Sequence, residues 1–392
     1  MKKRMRYSRE SIVLHGCIRN RIGCRIAVLI LLGSAAVLFA ETGQYPGLQL
    51  HTGKQIYQAA CVACHGPDGK GMPESTVGFK KPDSFPDFTR CDQTTSELNI
   101  DYKAIIVHGG AFRGFSPIMP SFGKALTNEQ IDKVIQYLRG FCTDSHWPRG
   151  ELNLPRALVT EKAYPEDEAV LTTSFNAQGA PGVSVESEYE QRFGVKNQIT
   201  VSVPINFANQ QHTWYGGFGD STLEVKRAIW SSLPAGSIFA LAGGAVFPTG
   251  NTARDLGEAG VTTFETYAAY DQLLPANLFL EFQGGAELPT DTHKAPQSLF
   301  WNTVVGQNFA QAKGFGRLWS PMVEFVATRD LRTDATTDWD IVPQMEVTIS
   351  KRQHIRADVG VRIPATNTAD RPVQVMFYVL WDWQDGKLTE GW

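Results

Sequence analysis

From about residue 168 onward the sequence alternates apolar and polar residues with a period of two, in runs too long for an ordinary sheet. Val183, Val185, Tyr189 and Phe193 share one parity, and Glu186, Glu188, Glu190 and Arg192 the other. Ile199, Val201, Val203, Ile205 and Phe207 alternate with Thr200, Ser202 and Asn206. Ile355, Ala357, Val359, Val361 and Ile363 alternate with Arg356, Asp358 and Arg362, and Val373, Val375, Phe377, Val379 and Trp381 with Gln374, Tyr378 and Asp382. Successive strand side chains point to opposite faces, so each run reads as a strand with one apolar and one polar face. Such runs lie at 183–193, 197–207, 221–230, 237–247, 276–286, 298–309, 317–328, 339–350, 354–363 and 372–383. A leading strand near 168–176 and another near 261–271 bring the count to about twelve.

Length decides what the two faces meet. Globular strands average ~5–6 residues, whereas strands that cross a bilayer need ~9–11. These runs are mostly 10–13 residues long. They predict an antiparallel barrel whose apolar face meets lipid and whose polar face lines a lumen. The alternative is a soluble β-sandwich with the apolar face as its core. Trp214, Tyr215, Trp230, Phe247, Trp301, Trp319, Trp339, Trp381 and Trp383 fall near run ends, as interfacial aromatic girdles require. Glu186, Glu188 and Glu190 read as part of an ordinary polar lumen, partly offset by Arg192, Arg356 and Arg362.

The second constraint is Cys61-Val62-Ala63-Cys64-His65. C-x-x-C-H is the attachment signature of c-type haem. Two thiols one helical turn apart can add to the two vinyl groups of one porphyrin. The next residue then places an imidazole under the iron, making His65 an axial ligand. A zinc half-site would want a second ligand pair at a characteristic distance, which Cys91 and Cys142 do not supply. A dithiol redox pair would sit at a strand-to-helix turn, and none is visible. No phosphate-binding Gly loop, H-E-x-x-H or Gly-x-Ser-x-Gly accompanies the motif.

Residues 1–40 hold eight of the 37 basic residues and one of the 40 acidic ones, so the remainder carries a net charge of −10 rather than −3. No basic stripe remains to suggest nucleic acid. Residues 26–40 (IAVLILLGSAAVLFA) form a 15-residue apolar run behind that basic region and end in small residues. The pattern predicts a signal peptide over 1–40, cleaved after Ala40. The run is short for a membrane-spanning helix, which takes ~20 residues. Export suits haem attachment. It also sorts the six cysteines. Cys17 and Cys24 leave with the signal peptide, Cys61 and Cys64 take haem, and Cys91 and Cys142 remain as one pair in an oxidising compartment, predicting a disulfide.

Residues 48–142 read as a small all-α domain. Gly53 to Ala63 has helical spacing, broken at once by Gly66-Pro67-Asp68-Gly69; residues 71–97 read as an irregular loop. Asp101 to Val107 can form a short helix. Thr127-Asn128-Glu129-Gln130 is a capping box before Ile131, Val134, Ile135 and Leu138. Gly53 with Tyr57, Cys61 to Gly66, Met119-Pro120-Ser121-Phe122-Gly123 and Tyr137-Leu138-Arg139 occur in the order found in class I, monohaem cytochrome c domains, which this segment resembles. The resemblance implies one covalent haem c with Met119 as second axial ligand, opposite His65. Met72 and His108 are the rivals for that position. An enzyme would be expected to leave the sixth position open, so a methionine there argues for electron transfer.

Residues 143–167 carry three prolines and little periodicity, and read as a linker or as a strap on one of the domains. Residues 168–392 resemble porin-like outer-membrane transporter barrels in pattern, most of all at 373–383 (VQVMFYVLWDW). The whole order resembles bacterial cytochrome–porin fusions. The best-known of these, in iron oxidisers, carry a much shorter haem segment, so iron as substrate is not implied. The chain is therefore expected to be a multidomain electron carrier rather than an enzyme, with an unknown donor. Its haem iron would cycle between Fe(II) and Fe(III). It would sit in the outer membrane lipid, its cytochrome domain would meet a redox partner protein in the periplasm, and nucleic acid has no part. The alternatives are a porin for a small solute with a tethered cytochrome module, and a soluble secreted two-domain cytochrome.

Overall fold

The computed structural model describes residues 49–310, 317–369 and 371–392. The signal peptide expected over 1–40, with Cys17 and Cys24, lies outside them. The first part is helical: α1 (Gly53–Ala60), α2 (Val62–His65), α3 (Glu74–Val77), α4 (Cys91–Thr94), α5 (Asn99–His108) and α6 (Asn128–Arg139), with a 3-10 turn at Gly110–Arg113. Capping boxes start both α1 (Thr52 with Gln55) and α6 (Thr127 with Gln130). The expected single helix from Gly53 to Ala63 is broken at Cys61, and the loop at 71–97 contains two one-turn helices, α3 and α4. Ile56 and Tyr57 of α1 pack with Ile106 of α5 and with Ile131, Val134, Ile135 and Leu138 of α6. Helices α1 and α6 meet at Gly53, where a Cβ would lie 2.1 Å from the Lys133 carbonyl oxygen, so only glycine allows the approach. Cys91 and Cys142 are disulfide-bonded, as expected, and tie α4 to the end of α6.

The second part is a closed antiparallel barrel. Its strands are β1 (Glu168–Asn176), β2 (Gly182–Phe193), β3 (Asn197–Gln210), β4 (Thr213–Phe218), β5 (Ser221–Ser232), β6 (Ser237–Phe247), β7 (Thr263–Leu273), β8 (Leu278–Pro289), β9 (Ser298–Gln307), β10 (Phe309–Ala310), β11 (Leu318–Asp330), β12 (Asp338–Thr348), β13 (Ile355–Pro364) and β14 (Gln374–Asp382). β1 pairs with β14 and β9 with β11, which closes the ring. Strands β4 and β5 are one broken crossing, because β3 pairs with β5 over Asn197–Ser202 and with β4 over Ile205–Gln210. The break faces Pro204, which has no N–H to give the ladder; its carbonyl accepts from Gly219 instead. With β10 continuing β9, the barrel has twelve crossings, the number the alternation predicts.

The outer face is apolar. Leu171, Tyr189, Val201, Phe207, Leu241, Phe282, Val359 and Phe377 are exposed, while Glu190, Lys226, Glu281 and Glu324 are wholly buried inside. That inversion is stable only where lipid covers the outside. Among the described residues no helix is long and apolar enough to cross a membrane; the strands make the crossing. The sandwich alternative is excluded by the closed ring and by this inversion.

Residues 153–167, within the segment read as a linker or strap, run inside the barrel. Their backbone has no ladder of its own, and lumen side chains satisfy it. The N–H of Arg156 donates to Glu346 of β12 (3.1 Å), Leu158 and Thr160 to Glu324 of β11 (2.9 and 2.8 Å), Glu161 to Gln283 of β8 (3.1 Å), Ala163 to Asp271 of β7 (2.8 Å) and Glu166 to Gln198 of β3 (2.6 Å). Leu152, Ala163 and Tyr164 pack with Ala228, Ile238, Ala240, Ala242, Tyr267, Ala269 and Phe300 of the inner wall. The middle of the barrel is thus filled by the protein's own chain.

The helical domain rests on the barrel end where β1 begins and β14 finishes. Arg192 of β2 donates to the Asp92 carbonyl (3.2 Å) and lies 5.9 Å from the Trp147 ring centre; Gln353, between β12 and β13, donates to Asp101 (2.7 Å). Among the described residues the connections at this end are short (194–196, 233–236, 274–277, 349–354), the one before β11 lying partly outside them, and at the other end a connection reaches 248–262. In bacterial outer-membrane barrels the short turns are periplasmic.

Candidate functional site

The C-x-x-C-H motif straddles the joint between α1 and α2. Cys61 ends the first helix, its N–H donating to the Tyr57 carbonyl (2.9 Å), and its own carbonyl accepts from Cys64 (3.2 Å) and His65 (3.0 Å). One turn therefore holds both thiols and the imidazole. Residues 66–72 fold back at once: Gly71 donates to the His65 carbonyl and Met72 to the Cys64 carbonyl, both at 2.9 Å. Tyr57 Oη donates to the Gly66 carbonyl at 2.6 Å and fixes the turn. Burial pushes the Cys61 thiol up to about 11, with the neighbouring Cys64 adding to the shift, and holds the His65 imidazole down to about 4. His65 is thus kept neutral, the form that ligates a metal.

The His65 ring packs against Phe85 and Phe88, with both ring centres 5.1 Å away. These two phenylalanines were not singled out from sequence; their only signal is an aromatic pair three apart in a Pro-rich loop. Met119 comes back against the same apolar cluster as Cys61 and Val62, through the loop after α5. Its carbonyl accepts from Gly110 (3.0 Å), and Ser121 and Gly123 bond the Val107 carbonyl, which pins the methionine segment to the end of α5. Of the rivals, Met72 is held next to the motif by its backbone N–H, which donates to the Cys64 carbonyl. His108, at the end of α5, lies against Phe112, with ring centres 4.3 Å apart and planes tilted by 33°.

The residues fit a covalently held haem. Cys61 and Cys64 are free thiols, while Cys91 and Cys142 are bonded to each other. His65 Nδ1 is buried without a hydrogen-bond partner. Two free thiols and a neutral imidazole on one turn are the donor set that a covalently attached haem requires, and the buried His65 nitrogen is the kind of unsatisfied polar atom that calls for a partner.

A family model described as "Cytochrome c" matches residues 50–141. The chain carries a segment that matches the cytochrome c family, followed by a closed twelve-strand β-barrel. The cytochrome c domain implies covalent haem c. A second family model, described as "Putative MetA-pathway of phenol degradation", matches residues 193–371 of the barrel. No curated protein matches the chain. Among solved structures, the NanC porin is 8% identical, with a TM-score of 0.39, over 54% of this chain and 97% of its own. An outer membrane channel from Pseudomonas putida F1 is 12% identical, with a TM-score of 0.41, over 58% and 99%. The KdgM porin is 8% identical, with a TM-score of 0.36, over 55% and 98%.

Inside the barrel of the fusion, Glu161, Glu188 and Glu190 bring carboxylate oxygens within 4.8 Å of one another. The occupant is Arg156. Its Nη1 meets Glu168 (2.9 Å) and Glu190 (3.0 Å), and its Nη2 meets Glu161 (3.2 Å) and Glu188. The acids of β2 are therefore balanced from the strap. Arg192 and Arg362, expected to offset them, pair instead with Asp167 and Asp340.

Proposed function

We propose that this protein is an electron carrier anchored in the bacterial outer membrane, with one haem c at the periplasmic end of a plugged barrel. Cys61 and Cys64 would hold the haem covalently, and His65 and Met119 would ligate its iron. The group supplies one-electron Fe(II)/Fe(III) exchange. The chain's own residues orient it, exclude water and keep the His65 ring neutral against Phe85 and Phe88. The observation that carries this reading is the filled lumen: Arg156 and the strap backbone bind strands on all sides of it. A barrel so filled is a holder, and the helical domain seated on it is what remains free to react. Its partner would be a periplasmic redox protein. The short turns at the cytochrome end support the periplasmic side. A single haem there cannot alone move electrons across an apolar band of ~25 Å, so exchange with the outside would need a second carrier.

The test is full-length holoprotein in lipid vesicles and planar bilayers. The expected result is reversible one-electron titration of the haem, rapid exchange with a small soluble cytochrome, and no stable pore conductance. Sustained porin-like conductance with a haem that no redox protein reduces or oxidises would refute it. On intact cells, antibody to the haem domain should not bind; binding would reverse the orientation.

A further inference from the structure

Residues 110–118 form a loop whose two ends meet at the methionine. Gly110 N–H donates to the Met119 carbonyl (3.0 Å), Phe115 N–H to the Gly110 carbonyl (3.0 Å), and Met119 N–H to the Ser116 carbonyl (3.4 Å). A Cβ at Gly110 would lie 3.2 Å from the Met119 Cβ, so the loop base and the methionine side chain share one space. The loop cannot swing without carrying Met119 along.

Within the helical domain Arg113 of the loop pairs with Asp101 of α5 (3.0 Å), and beyond that pair the loop's far side is held by the barrel. The 3-10 turn at Gly110–Arg113 leaves carbonyls at its end with no partner in the turn. Arg317, just before β11, donates Nη2 to the Phe112 carbonyl (2.7 Å) and lies 5.1 Å from the Phe112 ring centre. Arg352, between β12 and β13, donates Nε (3.2 Å) and Nη2 (3.0 Å) to the Gly114 carbonyl and lies 4.7 Å from the Phe115 ring centre. Arg352 is itself held by Glu390 at 2.7 Å. Gly114 has φ +72°, and a Cβ there would sit 2.7 Å from Gly391 Cα, so the two backbones are in direct contact. Two barrel turns thus grip the carbonyls of Phe112 and Gly114 and the rings of Phe112 and Phe115, in the loop that ends in Met119.

We propose that Arg317 and Arg352 are positioning residues for the sixth haem ligand: the barrel holds the methionine on the iron by clamping loop 110–118. The inference rests on Met119 being that ligand. It gives the fusion a chemical purpose, because the cytochrome domain then has its full ligand strength only when seated on its barrel.

Imidazole competes with a methionine for ferric haem, so its apparent affinity reads how often the loop opens. Full-length holoprotein is compared with Arg317→Gln, Arg352→Gln, the double variant, Met119→Ala, and Arg362→Gln as a control at the opposite barrel end. Correct barrel folding is checked by the gel shift between unheated and boiled samples. A charge-assisted hydrogen bond is worth enough that losing both clamps should tighten imidazole binding about tenfold or more. The iron–thioether band should also fade at lower temperature, with Arg362→Gln unchanged. Lysines at both positions keep the charge and should restore part of the loss. If wild type lacks the band, or Met119→Ala keeps it, the ligand reading fails and takes this inference with it. If Met119→Ala loses the band but the glutamine variants bind imidazole as wild type does, the clamp alone is overturned. If the double variant does not fold, the single variants decide, with smaller shifts of the same sign.

Discussion

Replacing Arg156 by alanine should loosen the strap and open the barrel. The guanidinium is 10% exposed and faces four carboxylates, of which Glu168 and Glu190 are 1% and 0% exposed. Removing one partner of a buried ion pair costs about 3–5 kcal/mol, because the charges left behind lose their counter-ion out of reach of water; Lys226, 3.5 Å from Glu161, offsets part of that and sets the expectation at the lower end. The remaining strap contacts, such as Ala163 N–H to Asp271 and Thr160 N–H to Glu324, stay in place, so the barrel should still form. The variant's urea midpoint, followed by tryptophan fluorescence in detergent, should fall by that amount divided by the wild-type m-value. In planar bilayers it should show conductance steps that wild type lacks. Glu161, Glu188 and Glu190, within 4.8 Å of one another, would then form an empty oxygen cage, and millimolar calcium should recover part of the stability. Arg362→Ala is the control: its arginine is 30% exposed and Asp340 keeps Arg371 at 2.6 Å, so the loss should be about 1 kcal/mol or less. An Arg156→Ala protein with a wild-type midpoint and silent bilayers would refute the strap as plug.

Met119→Ala should abolish the iron–thioether band and lower the reduction potential, while His108→Ala should leave both unchanged; spectra and a redox titration of each decide. Cys91→Ser with Cys142→Ser opens a link between residues 51 apart and should cost about 4 kcal/mol on the chain-entropy model, read by thermal melting of the haem domain. Gly53→Ala puts a Cβ 2.1 Å from the Lys133 carbonyl and should cost about 1–3 kcal/mol as overpacking, in the same melt. Burial first, then Asp101 and Asp382, raise Glu97 to about 7 where the helical domain meets the barrel. Its folded value lies above the unfolded one, so the docked state holds the extra proton and weakens as pH rises from about 4.5 to 7. Glu97→Gln should flatten that slope in urea midpoints taken across this range; an unchanged slope would exclude Glu97 as its source.

Much of this protein was written locally. The runs of period two read as strands and their length favoured a bilayer, but only the closed ring, with apolar side chains outside and carboxylates inside, excluded the sandwich. The haem motif is equally local: Cys61, Cys64 and His65 need one turn of helix and nothing else. The disulfide followed from cysteine count and compartment. What the sequence could not settle is where the pieces touch. Residues 153–167 have no periodicity, since their partners are not in their own segment; Glu346, Glu324, Gln283, Asp271 and Gln198 lie up to 190 positions away. From sequence alone such a stretch looks like a linker. Arg317 and Arg352 likewise read as ordinary turn residues until the fold sets them over the carbonyls of Phe112 and Gly114. Periodicity records which way a side chain faces, and a motif records chemistry completed within one turn. A hydrogen bond between a lumen carboxylate and a passing backbone leaves no mark in either, and only the closing of the barrel around the strap creates it.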